Sequence, residues 1–144
     1  MPSDKKSSTL LLVEDSEDDA FFFGRALHKS GLAYSVHHVI NGALAVEFLR
    51  GIAGPHYEGL PHAIFLDLKM PVLNGFEVLD WLRSQSFPSQ MRVFVLSGSE
   101  HHEDRERCLR MGATEYLVKP VKGHDFQRLL APVPAAPPES GGSL

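Results

Sequence analysis

The chain has 144 residues, of which 43% are hydrophobic and 22% are charged, and its net charge is −4. These values are typical of one globular domain, and scattered lysines and arginines on an acidic chain argue against nucleic-acid binding. The apolar runs are far shorter than the roughly 20 residues of a membrane helix, and residues 1–8 do not resemble a signal peptide. A single cysteine, Cys108, cannot form an internal disulfide, so we expect a reduced, cytoplasmic protein.

Composition divides the chain into three segments. Residues 1–8 are polar and are predicted to form a flexible arm. Residues 132–144, PVPAAPPESGGSL, are rich in Pro, Ala, Gly and Ser, and are predicted to form a disordered tail because they cannot bury a core. The predicted folded domain covers residues 9–131.

Within this domain, short apolar runs alternate with amphipathic stretches, which predicts five strands that are each followed by a helix. Ser16 is a predicted N-cap ahead of three acidic residues, Asn41 is a candidate cap of the second helix, and Gly31 and Gly112 are placed to end helices. The predicted strands are 9–13, 34–40, 63–68, 92–97 and 115–119; the predicted helices are 16–30, 42–50, 74–85, 103–111 and 125–130.

Alternating strands and helices predict an α/β fold, with a doubly wound parallel sheet that carries helices on both faces. Ligands of such sheets bind at the carboxyl ends of the strands. Glu14 and Asp15 follow the first strand, and Asp67, Ser97 and Lys119 lie at the ends of the third, fourth and fifth. We therefore expect these five residues to meet in one crevice.

The residue types in this crevice favour phosphoryl transfer. Three carboxylates, those of Glu14, Asp15 and Asp67, repel one another unless a hard cation such as Mg²⁺ lies among them. Asp67 is central, where it can act as a nucleophile and form an aspartyl phosphate. Lys119 and Ser97 supply a cation and a hydroxyl donor for the phosphoryl oxygens, and such transfer depends mainly on positioning and charge neutralisation.

Four stretches resemble the receiver domains of two-component response regulators. They are LLVEDSEDD at 11–19, FLDLKMPVLNGFEVL at 65–79, VLSGS at 95–99 and GATEYLVKPV at 112–121. The resemblance implies a flavodoxin-like (βα)5 fold with strand order 2-1-3-4-5. The long connection RGIAGPHYEGLPH, the DLKMP form and the absence of an output domain make the chain similar, more closely, to stand-alone receivers that partner cyanobacterial-type phytochrome kinases.

The resemblance also implies a role for each matching residue. Asp67 is expected to be the phosphoacceptor. The expected Mg²⁺ ligands are Asp15, Asp67 and the backbone carbonyl of Lys69. Glu14 is expected to hold a metal-bound water or to lie in the shell around the ligands. Ser97 is expected to follow the phosphoryl group, and Lys119 to pair with it. Tyr116 occupies the position of the switch aromatic and is expected to rotate inward on phosphorylation. A cis Lys119–Pro120 bond is implied as well.

The implied function is a single-domain response regulator in a phosphorelay. It accepts a phosphoryl group from a histidine kinase, with a bacteriophytochrome or cyanobacterial-type phytochrome as the partner that the resemblance suggests. It catalyses this transfer and a slow autodephosphorylation, and is not a metabolic enzyme. Lys69 and Ser99 lie at positions that tune dephosphorylation in the family, and a homodimer face on the short last helix is left open.

Two further residue groups have simpler interpretations. Phe21, Phe22 and Phe23 span about 200° of a helix surface, so at least one ring is predicted to be exposed, either as a rim residue or as a kinase-docking residue. The eight histidines lack metal-binding spacing, and adjacent ones such as His37 and His38 should point to opposite faces of a strand.

Other functions remain as alternatives. The chain could act as a phosphate sink, or as an interaction module with the receiver fold that takes no phosphoryl group, although the intact acidic crevice argues against the latter. A flavodoxin-like electron carrier is a third class. Acidic residues after the first strand argue against it, because they would repel a flavin phosphate.

Overall fold

The computed structural model describes residues 9–52, 60–85, 87, 91–98 and 102–130. The ten predicted elements are confirmed, and each end lies within two residues of its predicted position. The predicted arm at 1–8, the predicted tail at 132–144, Ser99 and most of the 51–62 connection lie outside the described residues. In chain order the elements are β1 Thr9–Val13, α1 Glu17–Ser30, β2 Ser35–Val39, α2 Gly42–Ile52, β3 Ala63–Asp67, α3 Gly75–Arg83, β4 Arg92–Ser97, α4 His102–Arg110, β5 Glu115–Val118 and α5 Gly123–Leu129.

The five strands form one parallel sheet in the order β2-β1-β3-β4-β5, which confirms the predicted order. The central strand β3 is buried along its whole length, as expected for a strand covered on both faces. The order reverses between β1 and β3, where the chain passes from one half of the sheet to the other. Sheets of this kind bind ligands at such a reversal, beyond the carboxyl ends of the strands.

Alternating side chains of β1 divide the core into two layers. Leu10 and Leu12 pack with residues of α1 and α5 on one face, whereas Leu11 and Val13 pack with residues of α2, α3 and α4 on the other. Each layer removes a continuous apolar surface from water, which is the main source of stability of a domain of this size.

The caps predicted from sequence are confirmed. The side chain of Ser16 accepts a hydrogen bond from the backbone N–H of Asp19 at 3.1 Å, and Gly31 ends α1 in the left-handed region with φ of 81°. The side chain of Asn41 accepts from the N–H of Leu44 at 2.8 Å. Because Ser16 directly follows the acidic pair Glu14–Asp15, its cap fixes where the first helix begins relative to those carboxylates.

The amino-terminal ends of the strands are joined by a cluster around Arg92. Its guanidinium donates to the backbone carbonyl of Leu129 at 2.5 Å and lies 2.8 Å from Nε2 of His62. The His62 ring packs on the ring of Tyr34, with 5.1 Å between centroids. Burial, followed by the charge of Arg92, lowers the pKa of His62, so the neutral ring is favoured and can accept from the guanidinium.

Candidate functional site

The carboxyl ends of the strands bring the predicted site residues to one edge of the sheet. Glu14 and Asp15 directly follow β1, Asp67 is the last residue of β3, Ser97 is the last of β4, and Lys119 directly follows β5. β3 lies between β1 and β4, which places Asp67 in the middle of the set. The predicted convergence of these residues agrees with this arrangement of the strands.

Three carboxylates form the centre of the site. One oxygen each of Glu14, Asp15 and Asp67 lies within 4.8 Å of the other two, a group that could hold a metal ion. Asp15 is exposed, whereas Glu14 is only 1% exposed and Asp67 only 4%. This mixture of buried and exposed oxygens suits a hard cation such as Mg²⁺, which takes one or two carboxylates and keeps several waters.

The carboxylate of Asp67 lies in an unfavourable environment for its charge. Burial, followed by repulsion from Glu14, raises the pKa of Asp67 to about 7, and the nearby Lys119 only partly offsets this rise. A cation placed among the three carboxylates would lower that pKa and favour the ionised form. The ionised form is the one that can attack a phosphorus atom.

Lys119 reaches three carboxylates at once. Its Nζ lies 2.8 Å from Oδ2 of Asp19, 2.9 Å from Oε1 of Glu14 and 3.3 Å from Oδ1 of Asp67. Burial tends to lower the pKa of Lys119, but its hydrogen bonds to Asp19 and Glu14 and the charge of Asp67 outweigh burial and raise it. The side chain is therefore a permanent cation in the site, and the Lys119–Pro120 bond that follows is cis, as predicted.

Asp19 is the site residue that the sequence interpretation missed. The sequence alone indicates only an acidic residue in the first turn of a helix, where it complements the helix dipole. Its ion pair with Lys119 joins residues that are 100 positions apart. The available signal was its place in the first turn of α1, shortly after the strand end that carries Glu14 and Asp15.

The remaining predicted residues lie around this centre. Ser97 is 2% exposed, and its backbone carbonyl accepts from the N–H of Lys119 at 2.8 Å. The side chain of Lys69, two residues past Asp67, is exposed. Tyr116 is already 3% exposed and packs in the layer beneath α4. Tyr116 can therefore become little more buried than it is in this conformation, because the ring already lies in an inward position.

A close approach between α3 and the end of β3 holds the Asp67 backbone. The N–H of Gly75 donates to the carbonyl of Leu68 at 2.9 Å. A Cβ added to Gly75 would lie 2.7 Å from Cα of Leu68 and 2.8 Å from the carbonyl oxygen of Asp67. Only glycine fits here without a backbone shift, so the NG sequence at the start of α3 positions the central carboxylate as well as the helix.

The aromatic triplet divides as predicted. Phe23 is buried, while Phe21 and Phe22 are 60% and 55% exposed on α1. Phe22 also lines a small cavity of about 40 Å³ together with Glu14, Asp19 and Lys119. Phe22 therefore adjoins the acidic crevice, and the ring of Phe21 lies 5.7 Å from the ring of Phe22.

The histidines of β2 point to opposite faces of the sheet, as predicted. His37 stacks on Phe48 of α2, with 4.1 Å between ring centroids, and Nε2 of His38 lies 2.7 Å from the carbonyl oxygen of Glu14. Within the described part of the chain, the three carboxylates are the one group of acidic, histidine or cysteine side chains close enough to hold a metal ion.

Residues 10–131 match the family model described as the response regulator receiver domain. The chain belongs to this family. The match covers both core layers and every residue of the acidic site, so the resemblance seen in the sequence motifs is confirmed. Receiver domains take phosphoryl groups from histidine kinases. In the described residues, no helix has both the length and the apolar character needed to cross a bilayer.

Known proteins with similar sequences and structures support the assignment. The probable methanogenesis regulatory protein FilR2 of Methanothrix harundinacea is 30% identical over 83% of this chain and 76% of its own. The bacteriophytochrome response regulator RtBRR is 32% identical, with a TM-score of 0.72 over 92% of this chain and 84% of its own. The phosphorylated cyanobacterial phytochrome response regulator RcpA is 27% identical, with a TM-score of 0.68 over 86% and 89%. Several other curated relatives are about twice as long as the matched region, which spans 47% to 55% of them.

Proposed function

We propose that this receiver accepts a phosphoryl group from a phosphohistidine of a histidine kinase onto Asp67 and signals by a change of conformation. The observation that carries the proposal is the position of Asp67. It is a buried carboxylate at the centre of the strand ends, next to two further carboxylates and 3.3 Å from the ammonium group of Lys119. An acyl phosphate formed there would have cations available for its charge.

Mg²⁺ is the proposed cofactor. Asp15, Asp67 and the backbone carbonyl of Lys69 are its proposed protein ligands, with Glu14 holding a metal-bound water or supporting the ligands. The cation would offset the repulsion that raises the pKa of Asp67 and bind an oxygen of the incoming phosphoryl group. The crowding of carboxylate oxygens within 4.8 Å supports this assignment.

The proposed transfer is a displacement at phosphorus. A carboxylate oxygen of Asp67 forms the new P–O bond, the P–N bond to the donor histidine breaks, and the imidazole nitrogen keeps the electron pair. Lys119 pairs with a phosphoryl oxygen, and the hydroxyl of Ser97 donates to another. Slow hydrolysis, in which water attacks the same phosphorus, restores the free carboxylate.

Ser97 and Tyr116 are the proposed switch. The backbone carbonyl of Ser97 is bonded to the N–H of Lys119, so a move of the β4–α4 loop toward the phosphoryl group would reach the end of β5. Because Tyr116 is already buried, we expect its contacts with α4, including the approach of Arg105 to its ring at 6.0 Å, to change rather than its burial. Crystal structures with and without beryllofluoride in which Ser97 and Tyr116 superpose would contradict this switch.

A phytochrome-type histidine kinase is the proposed partner. Support comes from the names of the similar structures, since AtBRR and RtBRR are bacteriophytochrome response regulators and RcpA is a phytochrome response regulator that was determined in a phosphorylated form. The exposed rings of Phe21 and Phe22 offer an apolar surface for docking such a partner, and Phe22 lines a cavity with Glu14 and Lys119.

The test is intact-mass spectrometry after incubation with acetyl phosphate and Mg²⁺. We expect the parent protein to gain the mass of one phosphoryl group, and the gain to disappear when Mg²⁺ is chelated. The matched variant Asp67→Asn should fold, as judged by circular dichroism, and gain nothing. A parent protein that stays unlabelled would favour the alternative function of an interaction module that takes no phosphoryl group.

A further inference from the structure

The three carboxylates around Lys119 are not equivalent. The side chain of Glu14 is 2% exposed and that of Asp67 is 6% exposed, whereas the side chain of Asp19 is 42% exposed. Asp19 nevertheless makes the shortest contact with Lys119, at 2.8 Å, and Asp67 the longest, at 3.3 Å. The ammonium group is thus held more closely by a carboxylate at the mouth of the site than by the central one.

Asp19 belongs to a different structural element from the other acids. It lies in the first turn of α1, where its backbone N–H is bonded to the Ser16 side chain. That bond fixes the backbone of Asp19 but leaves its carboxylate directed to Lys119. Replacing the carboxylate by an amide therefore removes a charge from Lys119 without removing the helix cap.

We infer that Asp19 is a positioning residue that restrains Lys119 while Asp67 is unphosphorylated and competes with the phosphoryl group for it. This inference rests on the proposed function of Asp67 as phosphoacceptor. To pair with a phosphoryl oxygen, Nζ of Lys119 has to give up part of its contact with the three carboxylates. Glu14 is buried, so its charge is unfavourable without a cation close to it. Lys119 can therefore release the partly hydrated carboxylate of Asp19 more easily than that of Glu14.

The net charge of the site also supports this role of Asp19. Glu14, Asp15, Asp19 and Asp67 carry four negative charges, against three positive charges from Lys119 and one Mg²⁺. Phosphorylation of Asp67 adds further negative charge. Asp19 therefore opposes the arrival of an anionic donor both by its own charge and by its hold on Lys119, and it acts as a brake on phosphorylation.

The chain offers a matched control. Asp18 is the neighbouring residue in the same helical turn and is exposed, and no ion pair to it is present among the described residues. Asp18→Asn and Asp19→Asn remove the same charge at nearly the same place, but only the second removes a partner of Lys119. A difference between the two variants thus reports the ion pair rather than the net charge.

The experiment measures the rate of phosphorylation by acetyl phosphate with saturating Mg²⁺. In this reaction Asp67 forms the P–O bond, the bond from phosphorus to the acetyl oxygen breaks, and acetate leaves. For Asp19→Asn we expect the rate at low donor concentration to rise about two- to fivefold, the range of a partly exposed charge pair. The rise should shrink at high salt, because such a pair is screened. Asp18→Asn should be accelerated clearly less than Asp19→Asn, because it removes the same charge but no partner of Lys119.

The outcomes separate this inference from the proposed function. If the parent is not labelled at all, the assignment of Asp67 as phosphoacceptor fails. If the parent is labelled but Asp19→Asn is no faster, or Asp18→Asn is accelerated to the same extent, the brake is wrong and the proposed function stands. Matching thermal stability of the two variants would exclude a difference in folding as the cause of different rates.

Discussion

The two ends of the sheet differ in how their charged side chains are paired. At the amino-terminal end, the guanidinium of Arg92 lies between a helix carbonyl and a neutral His62, and both accept hydrogen bonds from it. At the carboxyl-terminal end, buried Glu14 and Asp67 lie close to exposed Asp15, and one lysine is shared among several carboxylates. The contacts at the first end stabilise the fold. The second end has excess negative charge, which could bind a cation that in turn offsets the charge of a phosphoryl group.

This difference shows how one fold separates stability from function. Side chains of both ends belong to the same strands, so the core that aligns Arg92 also aligns Asp67. Crowded carboxylates lower stability unless a cation binds, and perturbed pKa values concentrate at functional sites for this reason. Substitutions at the carboxyl-terminal end should therefore change metal binding, and substitutions at the amino-terminal end should change the free energy of unfolding.

The largest expected effect concerns the metal. Asp15→Asn should weaken Mg²⁺ binding by roughly ten- to hundredfold, the scale on which changes around a metal site act, because it removes one of three crowded carboxylates. Isothermal titration calorimetry measures this. Asp18→Asn is the control and should bind like the parent. Equal Mg²⁺ affinity of Asp15→Asn and the parent would remove Asp15 from the site.

At the opposite end, the expected effect is on unfolding. Arg92→Met keeps the aliphatic stem but removes the donors to the Leu129 carbonyl and to His62. We expect the free energy of unfolding in urea to fall by about 1–3 kcal/mol, because a buried acceptor loses a charged donor. Labelling by acetyl phosphate should be retained by the folded variant. A stable variant that loses labelling would show that the two ends are not separable.

The elements and the convergence of the strand ends could be predicted from sequence, because periodicity, caps and the rules for parallel sheets are local or topological. The strand order was implied by the resemblance to receiver domains. The contacts of Asp19 and Arg92 could not. Each joins residues far apart in sequence through the last atoms of a long side chain, and its partner depends on packing. The burial of Tyr116 in this conformation could not be predicted either, since it depends on the packed layer under α4.

A smaller effect depends on pH. Because the pKa of His62 is lowered in the folded protein, the unfolded chain takes up more protons below the ordinary value of about 6.5. The contribution of His62 to stability is thus present above about pH 6.5 and is lost as the pH falls through and below it. Between about pH 7.5 and about pH 5.5, the free energy of unfolding in urea should fall less for His62→Gln than for the parent. An equal loss would contradict this account.

The smallest effect concerns the loop after Asp67. Val72 is 64% exposed and has φ of 54°, in the left-handed region that a β-branched residue rarely adopts. Val72→Asn relieves this strain with little loss of packing, so we expect the free energy of unfolding to rise by about 0.5–1 kcal/mol. Thermal denaturation measures it. Destabilisation by Asn would show that the valine side chain makes a compensating contact.

The central claim is that the crowded end of the sheet is a phosphoacceptor site with Asp67 as its nucleophile. The most direct test locates the phosphoryl group. Protein labelled with acetyl phosphate and Mg²⁺ is reduced with borohydride, which converts an aspartyl phosphate to homoserine, and the peptides are sequenced by mass spectrometry. We predict homoserine at position 67 in the parent. Homoserine at Asp15 or Asp19 instead, with unmodified Asp67, would contradict the account.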